Sequence, residues 1–385
     1  VKKVMAVVLT LFFIVTLAVG CAPTAPKPMD NTKQGSTGGP EKAEADQNRP
    51  DVLGSDKRVV MGFYVEGEGP VPSSKQSMMK NAGILDEVCF FWYSFDSNGA
   101  VKNVVKQDIE AKNAAKKNNA KVYAVVHNLV PGGKGFSPEL AHAVLANPAK
   151  KQTFITNLVN LTTSQSWDGI ALDIEKVPPG DRGNFSAFIK DLGAALKAKD
   201  KVLNVSVPAK FIDYPADLWS GAYDYAEIGK GADQVVLMTY DEHGLGTTSG
   251  PIASHDWVDK VISFAVKKMP PQKIVQGIPV YAFDWASSNP TVPAYLSFAQ
   301  AQQQAKAKGV QVIYDEESEA AHYTYTDNTG RHVVFMEDRR AMDAKLAYAK
   351  KHNLHGVAIW RMGMEDSGLW DTVKSRYGTN KNIPK

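Results

Sequence analysis

Eight times between residues 57 and 378, an apolar, β-rich run alternates with a stretch of helical periodicity. No other feature narrows the fold as much. Strands joined by helices run parallel, and a parallel sheet must be covered on its outer face. The runs 58–65, 84–95, 121–127, 167–175, 202–207, 234–240, 274–280 and 356–360 are expected strands. Between them, 73–82, 105–118, 138–162 (broken near Asn147-Pro148), 184–198, 222–230, 254–268, 339–352 and 369–377 read as helices, with Asn184 a plausible N-cap. Eight such units suit a closed (β/α)8 TIM barrel, typically about 250 residues plus insertions. An open doubly wound sheet is the alternative. When it binds nucleotides it usually carries a Gly-rich turn after its first strand, and none is present here.

The rhythm breaks once, between the seventh and eighth strands. Residues 283–337 hold a helical pattern at 299–308. They also hold two β-rich segments around Asp327-Asn328-Thr329-Gly330, a hairpin signal. A small α+β insertion at this point would wall one side of the barrel mouth.

The fourth strand carries the chemistry. In Trp167-Asp168-Gly169-Ile170-Ala171-Leu172-Asp173-Ile174-Glu175, strand parity puts Ile170, Leu172 and Ile174 on one face and Ala171, Asp173 and Glu175 on the other. Asp168 shares the face of Ile170 and reads as a cap at the strand entry. Acids are disfavoured in strands and costly to bury unpaired, so two on one face point to a joint task. A surface hairpin strand with solvated acids is the bland alternative.

Functional residues of a barrel sit at the C-terminal ends of its strands. The other ends supply Trp92 and Tyr93 on strand two, Met238, Tyr240 and Asp241 on strand six, Tyr281 after strand seven, and Trp360 on strand eight. Tyr64 and Asn128 are weaker candidates. Carboxylates, phenols and indoles around one mouth suit a sugar, whose ring faces stack and whose hydroxyls hydrogen-bond.

Composition excludes several other classes. The 385-residue chain is 44% hydrophobic and 22% charged, an ordinary globular balance, and its formal charge of +3 is not clustered. No nucleic-acid partner is indicated. The eight histidines form no metal-spaced pair, His352 and His355 included, and Gly132-Gly133-Lys134-Gly135 lacks the flanks of a phosphate loop. No metal or cofactor is expected. Of the two cysteines, Cys89 lies in an apolar run, where it behaves as a small hydrophobe.

Cys21 has a different role. Lys2-Lys3 and the apolar run 4–19 read as a secretory signal, and Leu17-Ala18-Val19-Gly20-Cys21 resembles a bacterial lipobox, with Ala18 where Leu is usual. Residues 1–20 are thus an expected lipoprotein signal peptide, with Cys21 as the lipidated residue; an ordinary cleaved signal or an uncleaved anchor is the alternative. Residues 21–56 then form a Pro/Gly/polar tether, too poor in apolar residues to fold. Loss of residues 1–20 removes two lysines and no acid, leaving 42 basic and 41 acidic residues. The expected organisation is a folded domain at 57–378 with a short tail at 379–385. The protein is expected to be a monomer, lipid-anchored on the extracytoplasmic face of a bacterial membrane.

These motifs resemble a known family. Asp168-Gly169-x-x-x-Asp173-x-Glu175 looks like the strand-four signature of the family 18 glycoside hydrolases, the chitinase-like group. Met238-Thr239-Tyr240-Asp241 and Trp360 are similar to its strand-six and strand-eight motifs. The run from Tyr240 through Trp257-Val258, and the segment from Tyr323 to Asp338, look closer to its spore-germination and cortex-hydrolase branch.

The resemblance implies hydrolysis of N-acetylglucosamine-containing polysaccharide, peptidoglycan cortex or chitin type, by a substrate-assisted retaining mechanism. Glu175 would be the acid/base. Asp173 and Tyr240 would hold the acetamido group, Asp241 would position it or neighbouring hydroxyls, and Trp360 would floor the site. Met238, Tyr93 and Tyr281 are candidate substrate contacts. One departure stands out: Ala171 occupies the place of a third family Asp, so Asp173 lacks an inward partner with which to share a proton. The rivals are a non-catalytic sugar-binding protein on the same barrel and a structural envelope lipoprotein. Loss of Glu175 would have signalled the first, and Glu175 is present.

Overall fold

The computed structural model describes residues 58–378, apart from 68 and 131–134. The expected signal peptide, Cys21 with its tether, the 379–385 tail and Gly132-Gly133-Lys134 lie outside the described residues.

Among the described residues, fourteen strands form two sheets: β1 (Val59–Tyr64), β2 (Glu87–Phe95), β3 (Val101–Asn103), β4 (Lys121–His127), β5 (Gly169–Asp173), β6 (Val202–Pro208), β7 (Gln234–Met238), β8 (Ile274–Pro279), β9 (Tyr281–Ala286), β10 (Asn289–Ser297), β11 (Ile313–Asp315), β12 (Ala320–Asp327), β13 (Gly330–Met336) and β14 (Gly356–Trp360). The larger sheet runs β1-β14-β8-β7-β6-β5-β4-β2, and β1 also pairs β2. These eight parallel strands therefore close on themselves. This is the expected TIM barrel, with β3 added as a short antiparallel hairpin on β2.

Closure splits the apolar residues by parity. Outward-facing residues such as Ile170, Leu172 and Ile174 join the shell of helices in one large core. Inward-facing residues of seven strands form a second, smaller core in the lumen: Met61, Phe63, Cys89, Phe91, Tyr123, Val125, Ala171, Val236, Val275 and Ala358. Cys89 is indeed a buried free thiol. Strand entries share one device. An aspartate just before β2, β5 or β7 accepts the backbone N–H of the preceding barrel strand: Asp86 from Val60 at 3.0 Å, Asp168 from Val122 at 2.8 Å and Asp233 from Leu203 at 3.0 Å. Asp168 is thus a structural cap, as its parity suggests.

Two expected boundaries move. The helix assigned to 184–198 is Arg182–Lys197 and is entered through the 3-10 turn Pro179–Asp181. Asn184 is therefore no N-cap; its amide donates to Asp181 Oδ1 at 2.9 Å. The insertion is also richer than its hairpin. β9–β13 make an antiparallel sheet ordered β10-β9-β13-β12-β11, backed by the helix Phe298–Lys308, which begins with a capping box at Ser297 and Gln300. It starts directly from the end of β8, so Tyr281 belongs to the insertion sheet.

Candidate active site

The C-terminal ends of the barrel strands meet at one mouth, and its floor is aromatic. Trp360 ends β14. Its indole packs edge-on against Phe63 at 5.3 Å and Phe91 at 5.9 Å, and lies near-parallel to the Tyr240 ring at 6.4 Å. The Trp360–Arg361 peptide is cis. Phe91 in turn stacks on His127 at 4.2 Å. The ring of Tyr240 has room because residue 277 is glycine: a Cβ there would lie 2.8 Å from Tyr240 Cε1 and 2.6 Å from Leu237 O.

Above this floor stand the carboxylates. Asp173 ends β5, inward and buried, on the same face as Ala171. Glu175 follows it and is half-buried. Among the described residues, no hydrogen-bond donor is recorded on either carboxylate or on the Tyr240 hydroxyl. Burial drives both carboxyls well above the carboxylate range, Asp173 to about 7. Glu175 is raised further by the charges of Asp173 and Asp241, with Lys176 opposing. Two unpartnered carboxyls so close cannot both ionise cheaply, so one proton stays on the pair near neutrality. A general acid needs that state.

Asp241 lies in the left-handed region at φ 59° and is solvent-exposed, yet crowding by protein still pushes its carboxyl to about 6. The Tyr281 hydroxyl donates to Asp241 Oδ1, and Tyr295 of β10 packs on Tyr281 at 4.9 Å. The insertion thus supplies one wall of the mouth. Met238 ends β7 with the inward parity of Val236 and is buried.

Seven of the eight expected site residues therefore come together: Glu175, Asp173, Tyr240, Asp241, Trp360, Met238 and Tyr281. Tyr93 does not. The β2–β4 register slips between Phe90 and Tyr93, so three residues of β2 span two of β4. This bulge flips the parity. Tyr93 turns into the outer core, against Trp167, where its hydroxyl bridges Gln165 and Gln107 at 2.6 Å each. Tyr64 likewise faces outward, donating to Asp108 at 3.0 Å.

Three residues were missed or undervalued. His127 pairs in register with Asp173 and shares its inward face. Burial pushes its imidazole down to about 3, so it is neutral, and Nδ1 accepts from Leu129 N at 3.2 Å. The strand-end rule could have found it. Asn128 turns its carboxamide onto the backbone of Glu175. Tyr295 comes from a strand with no clear sequence signal.

A parallel eight-stranded barrel with a carboxyl pair and an aromatic floor at its mouth defines the general class of carbohydrate-active barrels. The comparisons narrow this. Residues 59–365 match the model of glycosyl hydrolases family 18, and the chain belongs to that family. Among its relatives is the "Uncharacterized glycosylase YvbX" of Bacillus subtilis, 30% identical over 328 residues, covering 82% of this chain and 95% of that protein. The cortical fragment-lytic enzyme of Bacillus anthracis is 27% identical over 302 residues, covering 77% of this chain and 69% of that protein. Similar solved structures include a chitinase from Chromobacterium violaceum, with TM-score 0.76 and 30% identity over 84% of this chain and 99% of that one. The spore cortex-lytic enzyme SleL of Bacillus cereus gives TM-score 0.76 and 25% identity over 83% of this chain and 75% of that one.

Proposed function

We propose that this family 18 glycosidase cleaves β-linked N-acetylglucosamine-containing glycans, of the peptidoglycan cortex or chitin type, with retention of configuration. The substrate's own acetamido group is the nucleophile. One observation carries the reading: among the described residues Asp173 and Glu175 have no protein donor, and burial raises both carboxyls, at the mouth that Tyr240 and Trp360 line. Glu175 gives its proton to the glycosidic oxygen as the C–O bond breaks. The acetamido oxygen attacks the anomeric carbon, while Asp173 accepts the acetamido N–H and stabilises the charge that develops. Tyr240 donates its hydroxyl proton to the same group, and Asp241 takes neighbouring sugar hydroxyls. Trp360 presents an apolar face to the sugar ring. Glu175, now ionised, removes a proton from the water that opens the cyclic intermediate.

The names of the relatives, glycosylases, cortex-lytic enzymes and chitinases, support this substrate class. Mass spectrometry of products from peptidoglycan and chito-oligosaccharides tests it. The parent should release fragments, and Glu175→Gln should be slower by at least ~100-fold, the usual worth of a general acid. Intact glycans over a broad pH range, or a fully active Glu175→Gln, would overturn the reading.

The location proposed is the extracytoplasmic membrane face, on the strength of the signal-like N-terminus and Cys21. Cys21→Ala should move the protein from the membrane to the soluble fraction. A variant that stays bound refutes the anchor.

A further inference from the structure

The loop from residue 209 to residue 224 leaves the barrel between the two catalytic strands, since β6 lies between β5 and β7 in the sheet. Its tip is apolar and faces water. Leu218 is 82% exposed, Ile212 and Tyr214 more than 60%, and Phe211 and Trp219 close to half. Five large apolar side chains within nine residues are not the scattered exposure of an ordinary surface, and such patches mark interaction sites.

The loop is also held in shape. Lys210, buried at its base, reaches Asp213 at 2.8 Å and the carbonyl of Tyr223. Arg182 binds Asp213, Asp224 and the carbonyl of Gly221. Asp217 accepts the backbone N–H groups of Trp219 and Ser220. Residue 221 must be glycine, because a Cβ would lie 2.5 Å from two loop carbonyls. Tyr223 OH donates to Ile174 O at 2.8 Å, one residue before Glu175. The loop's base is therefore fixed to the segment that carries the catalytic acid.

We propose that this tip is a docking platform for long stretches of the glycan, outside the mouth itself. The inference rests on the substrate class proposed above and adds how the polymer is gripped. Three observations favour a glycan as the occupant. The loop leaves the C-terminal end of β6, on the rim of the mouth, and its base is hydrogen-bonded to the backbone of Ile174, next to Glu175. Its acids are partnered, Asp213 and Asp224 by Arg182 and Asp217 by the loop's own backbone, and its one lysine, Lys210, is buried. The tip thus offers no free cation for an anionic lipid headgroup. Phe211, Tyr214 and Trp219 supply flat faces of the kind sugar rings stack on, and a pre-shaped loop loses little entropy on binding.

Leu218→Ser/Trp219→Ala tests the platform. Both side chains are solvent-exposed enough for the fold to tolerate their loss. Binding to insoluble chitin and to peptidoglycan sacculi is measured by depletion, with the substitutions placed in full-length Glu175→Gln so that nothing is cleaved. Affinity should fall about tenfold, the order expected for losing large apolar contacts. In the active background, kcat/KM on a chromogenic N-acetylglucosamine disaccharide should stay within about twofold while that on polymer falls.

Unchanged polymer binding overturns the platform. So does a loss confined to liposome binding, which would make the tip a membrane contact, or to self-association in sedimentation, which would make it a dimer face. If the parent cleaves no such glycan, the proposed function fails instead. That result is read from the parent enzyme, independently of the loop variants.

Discussion

The carboxamide of Asn128 grips the backbone of Glu175 at both ends: Nδ2 donates to Glu175 O at 2.8 Å, and Glu175 N donates to Oδ1 at 2.9 Å. Nδ2 also donates to Ser137 O at 2.9 Å, and the residue is fully buried. Asn128 is thus a positioning residue, standing to Glu175 as the neighbouring strand of a ladder would beyond the end of β5. Asn128→Ala should leave these groups unpaired at a cost of ~1–3 kcal/mol in stability. It should also lower kcat by roughly 10-fold or more, because a misplaced acid loses its alignment. Asn128→Asp should be worse than Ala, since a carboxylate would face the carbonyls of Ser137 and Glu175. Thermal unfolding alongside kcat and KM checks this; an Asp variant as active as the parent refutes it.

The raised carboxyls set a pH dependence. With Asp173 at about 7 and Glu175 above its usual range, protonation of the pair is lost on the alkaline side. The alkaline limb of kcat/KM should therefore fall near or above about 7, and a limb near 5 would contradict it. Stability runs with the same sign. A carboxyl raised in the folded state stabilises the fold fully below its unfolded value near 4, and that contribution is lost as pH rises through the folded value. Asp173→Asn should accordingly raise Tm at pH 8 relative to the parent, with little gain at pH 4. Equal shifts at both pH values would show that the burial argument is wrong.

Gly277→Ala probes the floor. Its Cβ would press on Tyr240 and on Leu237 O, so Tyr240 must shift away from Trp360. A large fall in activity on N-acetylglucosamine substrates is expected, with overpacking costing about 1–3 kcal/mol in denaturant unfolding. An unchanged kcat/KM would mean that the tyrosine position is not critical.

Tyr93→Phe separates the outer core from the mouth. It removes the hydroxyl bridging Gln165 and Gln107, so about 1 kcal/mol of stability should be lost while KM stays the same. A raised KM would return Tyr93 to the substrate.

What was legible in the sequence was periodic or local. Alternation of strand and helix specified the barrel, and parity within 167–175 separated Asp173 and Glu175 from Ile170, Leu172 and Ile174, because side chains alternate along any strand whatever its partners. Asp168 as an entry cap and the Asp327–Gly330 hairpin were readable for the same reason. Tertiary structure alone decided the rest. The bulge that turns Tyr93 away exists only in the register between β2 and β4. Asn128 meets Glu175 across 47 residues, and Tyr281 meets Asp241 across 40. Such contacts come from barrel closure and from how the insertion docks, and no local pattern encodes either.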